Sequence, residues 1–223
     1  MLLSTPTVST NTQKATFVQF GCGLSAPDAW TNFDASPTLR LQKLPLIGNL
    51  IPSGPYGRFP SNVRYGDILK GLPINPGSVD YLYCSHVLEH LTIEEVRLAL
   101  KNCYSHLKPG GVFRMVLPDI EIMAREYLAS TSSSAVHDFM YLTWLGEHNG
   151  RLGAVGNFKQ WMSRSRHLWM WDYKALAYEL EQIGFQNIRR ARIGDSQIEA
   201  FNEIEDPERW THELGIQCER EQS

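Results

Sequence analysis

Apolar residues fall in short runs along the chain, and the runs switch between a period of two and a period near 3.6. Phe17-Val-Gln-Phe20 reads as a short buried strand, broken at its end by Gly21 and Gly23. The next run, Trp30-Thr-Asn-Phe-Asp34, closes on a carboxylate. Residues 63–68 form a third strand with Gly66-Asp67 near its tip, and Val79-Asp-Tyr-Leu-Tyr-Cys84 alternates into a fourth. Thr92 and Glu95 have the spacing of a capping box, and Ile93, Val96, Leu100, Cys103, Tyr104 and Leu107 recur behind it at helical spacing. Lys108-Pro-Gly-Gly111 stops that helix, and residues 112–117 are a fifth strand. A helix over 120–128 follows. Asp172 caps another, with Tyr173, Leu176, Leu180 and Ile183 facing inward and Gly184 at its end. Strands over 186–193 and 214–219 complete the set. This alternation predicts a single α/β, Rossmann-like domain: a doubly wound, mostly parallel seven-stranded sheet.

Two stretches break the pattern. Only residues 24–29 join the first two strands, whereas a parallel crossover normally takes a dozen residues or more. Residues 35–62, with prolines at 37, 45, 52, 55 and 60, read as a long loop with at most one short helix. Residues 119–171 carry Phe139, Tyr141, Trp144, Phe158, Trp161, Trp169 and Trp171, and so hold four of the six tryptophans. Within one domain spanning 1–223, this segment is expected to be a substrate-side insertion or lid; rings that merely pack a cover onto the sheet are the alternative.

Composition narrows the partners. A net charge of -3 offers no broad basic surface for nucleic acid or an anionic membrane. Cys22, Cys84, Cys103 and Cys218 are scattered without a CxxC pair, which points to a reducing compartment rather than a disulfide frame or zinc knuckle. No run reaches the length of a membrane span, and residues 1–14 lack the apolar core of a secretory leader. A cytoplasmic location follows as the expectation. No metal is expected either, because the His86/His90 pair is better explained by the strand-tip motif that contains it.

The glycines after the first strand and the acid at the tip of the second have a chemical logic. Glycine lets a ligand approach a backbone that a Cβ would shield, and a carboxylate at the next strand tip accepts from vicinal hydroxyls. Together they make a nucleoside-binding arrangement at the carboxyl edge of a parallel sheet. Phe20-Gly-Cys-Gly23, Asp34, Gly66-Asp67, Ser85-His-Val-Leu-Glu-His-Leu91 and Leu107-Lys-Pro-Gly-Gly111 resemble, in order, the class I S-adenosylmethionine-dependent methyltransferases of type 11, over about residues 16–118. The short form, with Trp-x-Asn-x-Asp directly after the glycines, looks like a bacterial subgroup associated with surface-glycan synthesis.

The resemblance implies S-adenosylmethionine as cofactor. Gly21, Cys22 and Gly23 would lie along its ribose and methionine portion. Asp34, with Ala35 beside it, would take the ribose hydroxyls. Gly66, Asp67 and Ile68 would surround the adenine, and backbone carbonyls at Ser85 and His86 would meet the ammonium. The acceptor would be a small molecule or saccharide offering a hydroxyl, amine or carboxylate. His90 is the leading general base, with His86, His148 and His167 as rivals. Lys159, Arg164 and Arg166 either hold an anionic acceptor or form a solvated face. Three positions depart from the usual pattern: Gln19 replaces an acid, Ser25 replaces a third glycine, and the first helix is nearly deleted.

Two other functions compete. Gly21-x-Gly23-x-x-Ala26 nominally fits a nicotinamide dehydrogenase, but that site needs a helix N-terminus for the pyrophosphate, and Pro27 and the short link remove it. A non-catalytic protein that binds S-adenosylmethionine or S-adenosylhomocysteine is the other.

Overall fold

Strands β1 (Phe17–Phe20), β2 (Thr31–Asp34), β3 (Val63–Tyr65), β4 (Val79–Ser85), β5 (Leu107–Pro118), β6 (Phe185–Ala191) and β7 (Glu213–Arg220) form one seven-stranded sheet in the order β3-β2-β1-β4-β5-β7-β6. The structure is a computed structural model and describes residues 15–45, 48, 57–146 and 166–222. β1 to β5 run parallel, and β7 inserts antiparallel between β5 and β6. The sheet is therefore mostly parallel and doubly wound, as the alternation predicts.

One face is a regular α/β core. Val18, Phe20, Leu82, Cys84, Phe113 and Met115 alternate inward along three adjacent strands and meet Val96, Leu100, Leu176 and Leu180. These come from helices α2 (Ile93–His106) and α5 (Tyr173–Ile183). The predicted capping box is formed: Thr92 Oγ1 accepts from the Glu95 amide, and Glu95 accepts from the Thr92 amide. Asp172 caps α5, and Gly184 ends it at φ +105°.

The other face has no crossover helix between β1 and β2. An aromatic plate covers it instead, in which Trp30, Tyr83, Phe201 and Trp210 are buried and Phe17 and Tyr81 pack at the margin. Arg114 of β5 points into this plate, fully buried, over the rings of Trp210 and Phe201. Its guanidinium donates to Glu205, to Asp195 at 2.9 Å, to Gln217 at 3.1 Å and to the Arg192 carbonyl at 2.7 Å. A charge in the core survives only when so fully partnered.

The short link between β1 and β2 is held by two buried amides. Gln19 Nε2 donates to the Ser25 carbonyl at 2.8 Å and to Asn32 Oδ1 at 2.6 Å, while Asn32 Nδ2 donates to the carbonyls of Pro27 and Trp30. A carboxylate at position 19 could accept but not donate. The family's acid would thus undo the tie that replaces the helix.

Two boundaries differ from the sequence expectation. β3 stops at Tyr65, because Asp67 accepts from the Leu69 amide and opens a 3-10 turn over Ile68–Lys70. The segment 108–111 is no separate loop: β5 starts at Leu107, paired with Val79, and the chain bulges before Val112 meets Tyr81. A Cβ at Gly111 would stand 3.0 Å from the Val79 carbonyl oxygen, so the bulge needs glycine there. The 35–62 stretch holds helix α1 (Pro37–Gln42), capped by Ser36, and the aromatic segment opens with helices α3 (Ile120–Ala129) and α4 (Ala135–Leu142).

His106, at the end of α2, supplies a pH test. It is buried, its Nε2 accepts from the Leu72 amide at 3.0 Å, and burial lowers its pKa. A histidine with a depressed folded pKa stabilises the fold fully above its unfolded value and loses that contribution as pH falls toward the folded value. Stability is therefore expected to fall below about pH 6.5. In His106→Leu, urea titrations should show a loss of about 1–3 kcal/mol at neutral pH, from the orphaned Leu72 amide, and a flatter acid limb.

Candidate functional site

The carboxyl ends of β3, β2, β1 and β4 lie side by side, and backbone bonds stitch their tips together. The Cys22 amide donates to the Phe33 carbonyl at 3.1 Å, and the Gly66 amide donates to the Asp34 carbonyl at 3.1 Å. Gly21 and Gly23 both sit at positive φ, +63° and +55°. A Cβ on Gly21 would strike Val87 Cγ2 at 2.3 Å, so this glycine is required by packing. A Cβ on Gly23 would meet nothing within 4 Å, so its bare face opens onto free space.

Asp34 faces the same turn. It is 8 % exposed; one oxygen accepts from the Gly23 amide at 3.0 Å and the other from the Ser36 amide at 2.7 Å. Each carboxylate oxygen keeps a second lone pair, enough for two vicinal hydroxyls. Asp67 sits beside it on the neighbouring tip, with one oxygen on the Leu69 amide and the other 3.7 Å from Lys70 Nζ. A Cβ on Gly66 would press on the Phe33 ring at 2.7 Å. Burial, aided by the Asp34 charge, pushes the Cys22 thiol up to about 12, so it stays protonated and is no nucleophile.

Two expected contacts look different in place. Ile68 is buried within the main apolar cluster, so little of its surface is left to cover a ring, and Ala35 is exposed. The Ser85 carbonyl accepts from Arg209 Nη2 at 3.3 Å, so a cation already stands where the sequence reading puts an ammonium. The Ser85 hydroxyl is buried without a partner. Sequence reasoning missed Arg209, and no local signal marks it: it reaches the β4 tip only through the fold.

Beyond β4 the chain turns tightly. His86 holds φ +53°, rare for a residue with a Cβ, and its amide donates to the Val116 carbonyl at 2.9 Å. Its Nδ1 lies 3.2 Å from Glu89 and its Nε2 3.3 Å from the Arg209 carbonyl. Burial works against the imidazolium, but the adjacent Glu89 carboxylate outweighs it and raises the His86 pKa. Glu213, largely through burial, is raised to about 7. The end of the aromatic segment folds over this turn, with the Leu168 and Trp169 amides donating to the Glu89 carbonyl at 2.7 and 3.2 Å. His167 is thereby brought beside His90, their ring centroids 5.2 Å apart. Burial lowers the His167 pKa, which keeps it neutral. Thus His86, His90 and His167 converge near one turn. His148, Lys159 and Arg164 lie outside the described residues.

Hollows of about 380 Å³ between α3 and α4 and about 320 Å³ beside α1 lie away from these strand tips. They are not the chemistry. Neither is lined by Gly23, Asp34 or Asp67, so the edge is judged by its donors and acceptors.

The strand order β3-β2-β1-β4-β5-β7-β6 and this edge carry forward the resemblance read from the sequence. Residues 19–115 match the family described as methyltransferase domain. No curated protein matches. Among solved structures, a methyltransferase from Thermotoga maritima is 17 % identical, covering 94 % of this chain and 84 % of that one with a TM-score of 0.48. Phosphoethanolamine N-methyltransferase 2 of Haemonchus contortus is 11 % identical, covering 95 % and 50 %, TM-score 0.47. A structure of PigF with S-adenosylhomocysteine is 15 % identical, covering 92 % and 50 %, TM-score 0.47. The chain thus spans about half the length of several structures it resembles.

The residues at the edge fit the cofactor: an uncovered glycine backbone, a carboxylate with spare lone pairs beside it, and a second acid one strand away. The two glycines separate packing from binding. Gly21→Ala should lower the melting midpoint clearly, by about 1–3 kcal/mol in stability, since both strain and a clash oppose it. Gly23→Ala should cost about 1–2 kcal/mol from strain alone while weakening S-adenosylhomocysteine binding. Equal behaviour of the two in melts and ligand titrations would contradict this division.

Proposed function

We propose that this protein transfers the methyl group of S-adenosylmethionine to a hydroxyl, amine or carboxylate of a small-molecule or saccharide acceptor. The observation that carries the reading is the meeting, at one sheet edge, of the open face of Gly23 with the Asp34 carboxylate. Asp34 would hold the ribose and Asp67 the adenine amino group, leaving the sulfonium near the β4 tip. A sulfonium methyl is already electrophilic, so positioning and exclusion of water provide much of the acceleration. The acceptor would enter beneath the 119–171 segment, whose far end packs on Glu89. His90 and His167 then stand near the acceptor as candidate bases, His90 being the favoured one.

Among the described residues no helix follows the glycine turn before α1, which argues against a dinucleotide pyrophosphate at this edge. The cytoplasmic location we favour rests on the scattered cysteines of the sequence; no described helix is long and apolar enough to cross a membrane. The test is a panel of nucleotide sugars, oligosaccharides and small hydroxylated or amino acceptors with labelled S-adenosylmethionine. Release of S-adenosylhomocysteine with label on an acceptor supports the reading. Cofactor binding without turnover on any member would instead favour a binding protein, and failure of the folded protein to bind either sulfur compound would end the proposal.

A further inference from the structure

Glu89 is 1 % exposed, and neither of its carboxylate oxygens makes a hydrogen bond. The nearest ring nitrogens are His86 Nδ1 at 3.2 Å, off the line that a hydrogen bond needs, and His90 Nε2 at 3.9 Å. A buried carboxylate supported only by the neighbouring His86 is costly, and its remaining lone pairs can still take a cation.

The two histidines beside it are prepared to bind an ion. His90 Nδ1 lies 2.9 Å from the Arg166 carbonyl and His167 Nδ1 lies 3.0 Å from the Thr143 carbonyl. A carbonyl only accepts, so each Nδ1 carries the proton and each Nε2 keeps its lone pair. Metal-binding histidines are oriented in just this way, with the other ring nitrogen donating to a fixed acceptor. One ligand atom from each of Glu89, His90 and His167 falls within 4.8 Å of the other two. Ligands at 2.0–2.2 Å from an ion stand about 3–3.5 Å apart, so closure by about an ångström completes the site.

We propose that Glu89, His90 and His167 bind a divalent first-row transition ion, such as zinc, cobalt or manganese. Two imidazoles and a carboxylate form a borderline nitrogen and oxygen set that leaves coordination positions open. His86 stands beside Glu89 at 3.2 Å and is not one of the three ligands. The Glu89 and His90 ligands follow the β4 tip, whereas His167 comes from the residues just before Leu168 and Trp169, so the ion also ties these two stretches together. Its chemical use rests on the methyltransferase reading and replaces the His90 base in it: an acceptor hydroxyl bound in an open position gives its proton to solvent. Its oxygen then bonds to the methyl carbon as the carbon–sulfur pair leaves with the sulfur. The substrate class is accordingly a hydroxylated acceptor.

The experiment uses tag-free, chelator-stripped protein titrated with cobalt(II), followed by its visible absorption and by calorimetry, with S-adenosylhomocysteine titrated separately. One ion per chain with nitrogen and oxygen bands is expected. Affinity should fall by more than about tenfold in Glu89→Gln and in His167→Gln, with circular dichroism and S-adenosylhomocysteine binding unchanged. No saturable uptake, or equal uptake by both variants, overturns the metal site while intact S-adenosylhomocysteine binding leaves the cofactor reading standing. Cobalt binding without S-adenosylhomocysteine binding would do the reverse.

Discussion

Replacing Arg114 with alanine is expected to lower the unfolding free energy by about 3–5 kcal/mol, the cost of breaking a buried ion pair from one side. The Glu205 side chain is only 1 % exposed and would be left as an uncompensated charge under the aromatic plate. Trp210 and Phe201 would also lose the guanidinium stacked on their rings. Since small domains are stable by about 5–15 kcal/mol, a third or more of the fold's margin is at stake. Urea denaturation reads it directly. A loss below about 1 kcal/mol would mean that the plate holds without its charge. Arg114→Met with Glu205→Leu should recover much of the loss, because replacing both partners by apolar groups removes the stranded charge. Asp195 adds a pH dependence: its carboxyl is held below the usual range by Arg189, Arg192 and Arg114 against the pull of burial. That contribution is present above the unfolded value and lost as acid titrates the folded group.

Asp34→Ala is expected to weaken S-adenosylhomocysteine binding by about tenfold to a hundredfold, from the loss of charged hydrogen bonds worth about 1.5–3 kcal/mol. The structure adds a second consequence. Asp34 anchors the Gly23 and Ser36 amides, so its removal also loosens the turn that carries the open glycine. Asp34→Asn divides the two roles: one amide oxygen still accepts from a backbone donor, but the charge is gone. Calorimetry should place Asn between wild type and Ala in affinity, with a melting midpoint closer to wild type. Unchanged affinity in both would remove Asp34 from the site.

Much of this was legible in the sequence because it is written in local periods. The capping box at Thr92, the inward face of α5 and the alternation in β4 each need only a few residues to be read. The glycine turn and Asp34 were legible for the same reason. What was not legible depends on residues far apart in the chain. Nothing near Arg114 announces Glu205, and the pairing exists because the segment after β6 must cover the face that lacks a helix. Gln19 looked like a defect in the cofactor loop until Asn32 and Ser25 were found on its amide. Likewise the sequence offers His90 and His167 only as rival bases, and the fold is what lays their rings together.

The most direct test is a crystal structure grown with S-adenosylhomocysteine. The ribose hydroxyls should stand at hydrogen-bonding distance, about 2.5–3.0 Å, from the two Asp34 oxygens, with the adenine amino group toward Asp67 and the sugar passing the bare face of Gly23. Density for the nucleoside anywhere else, with the Asp34 carboxylate still bound only to the Gly23 and Ser36 amides, would contradict the account.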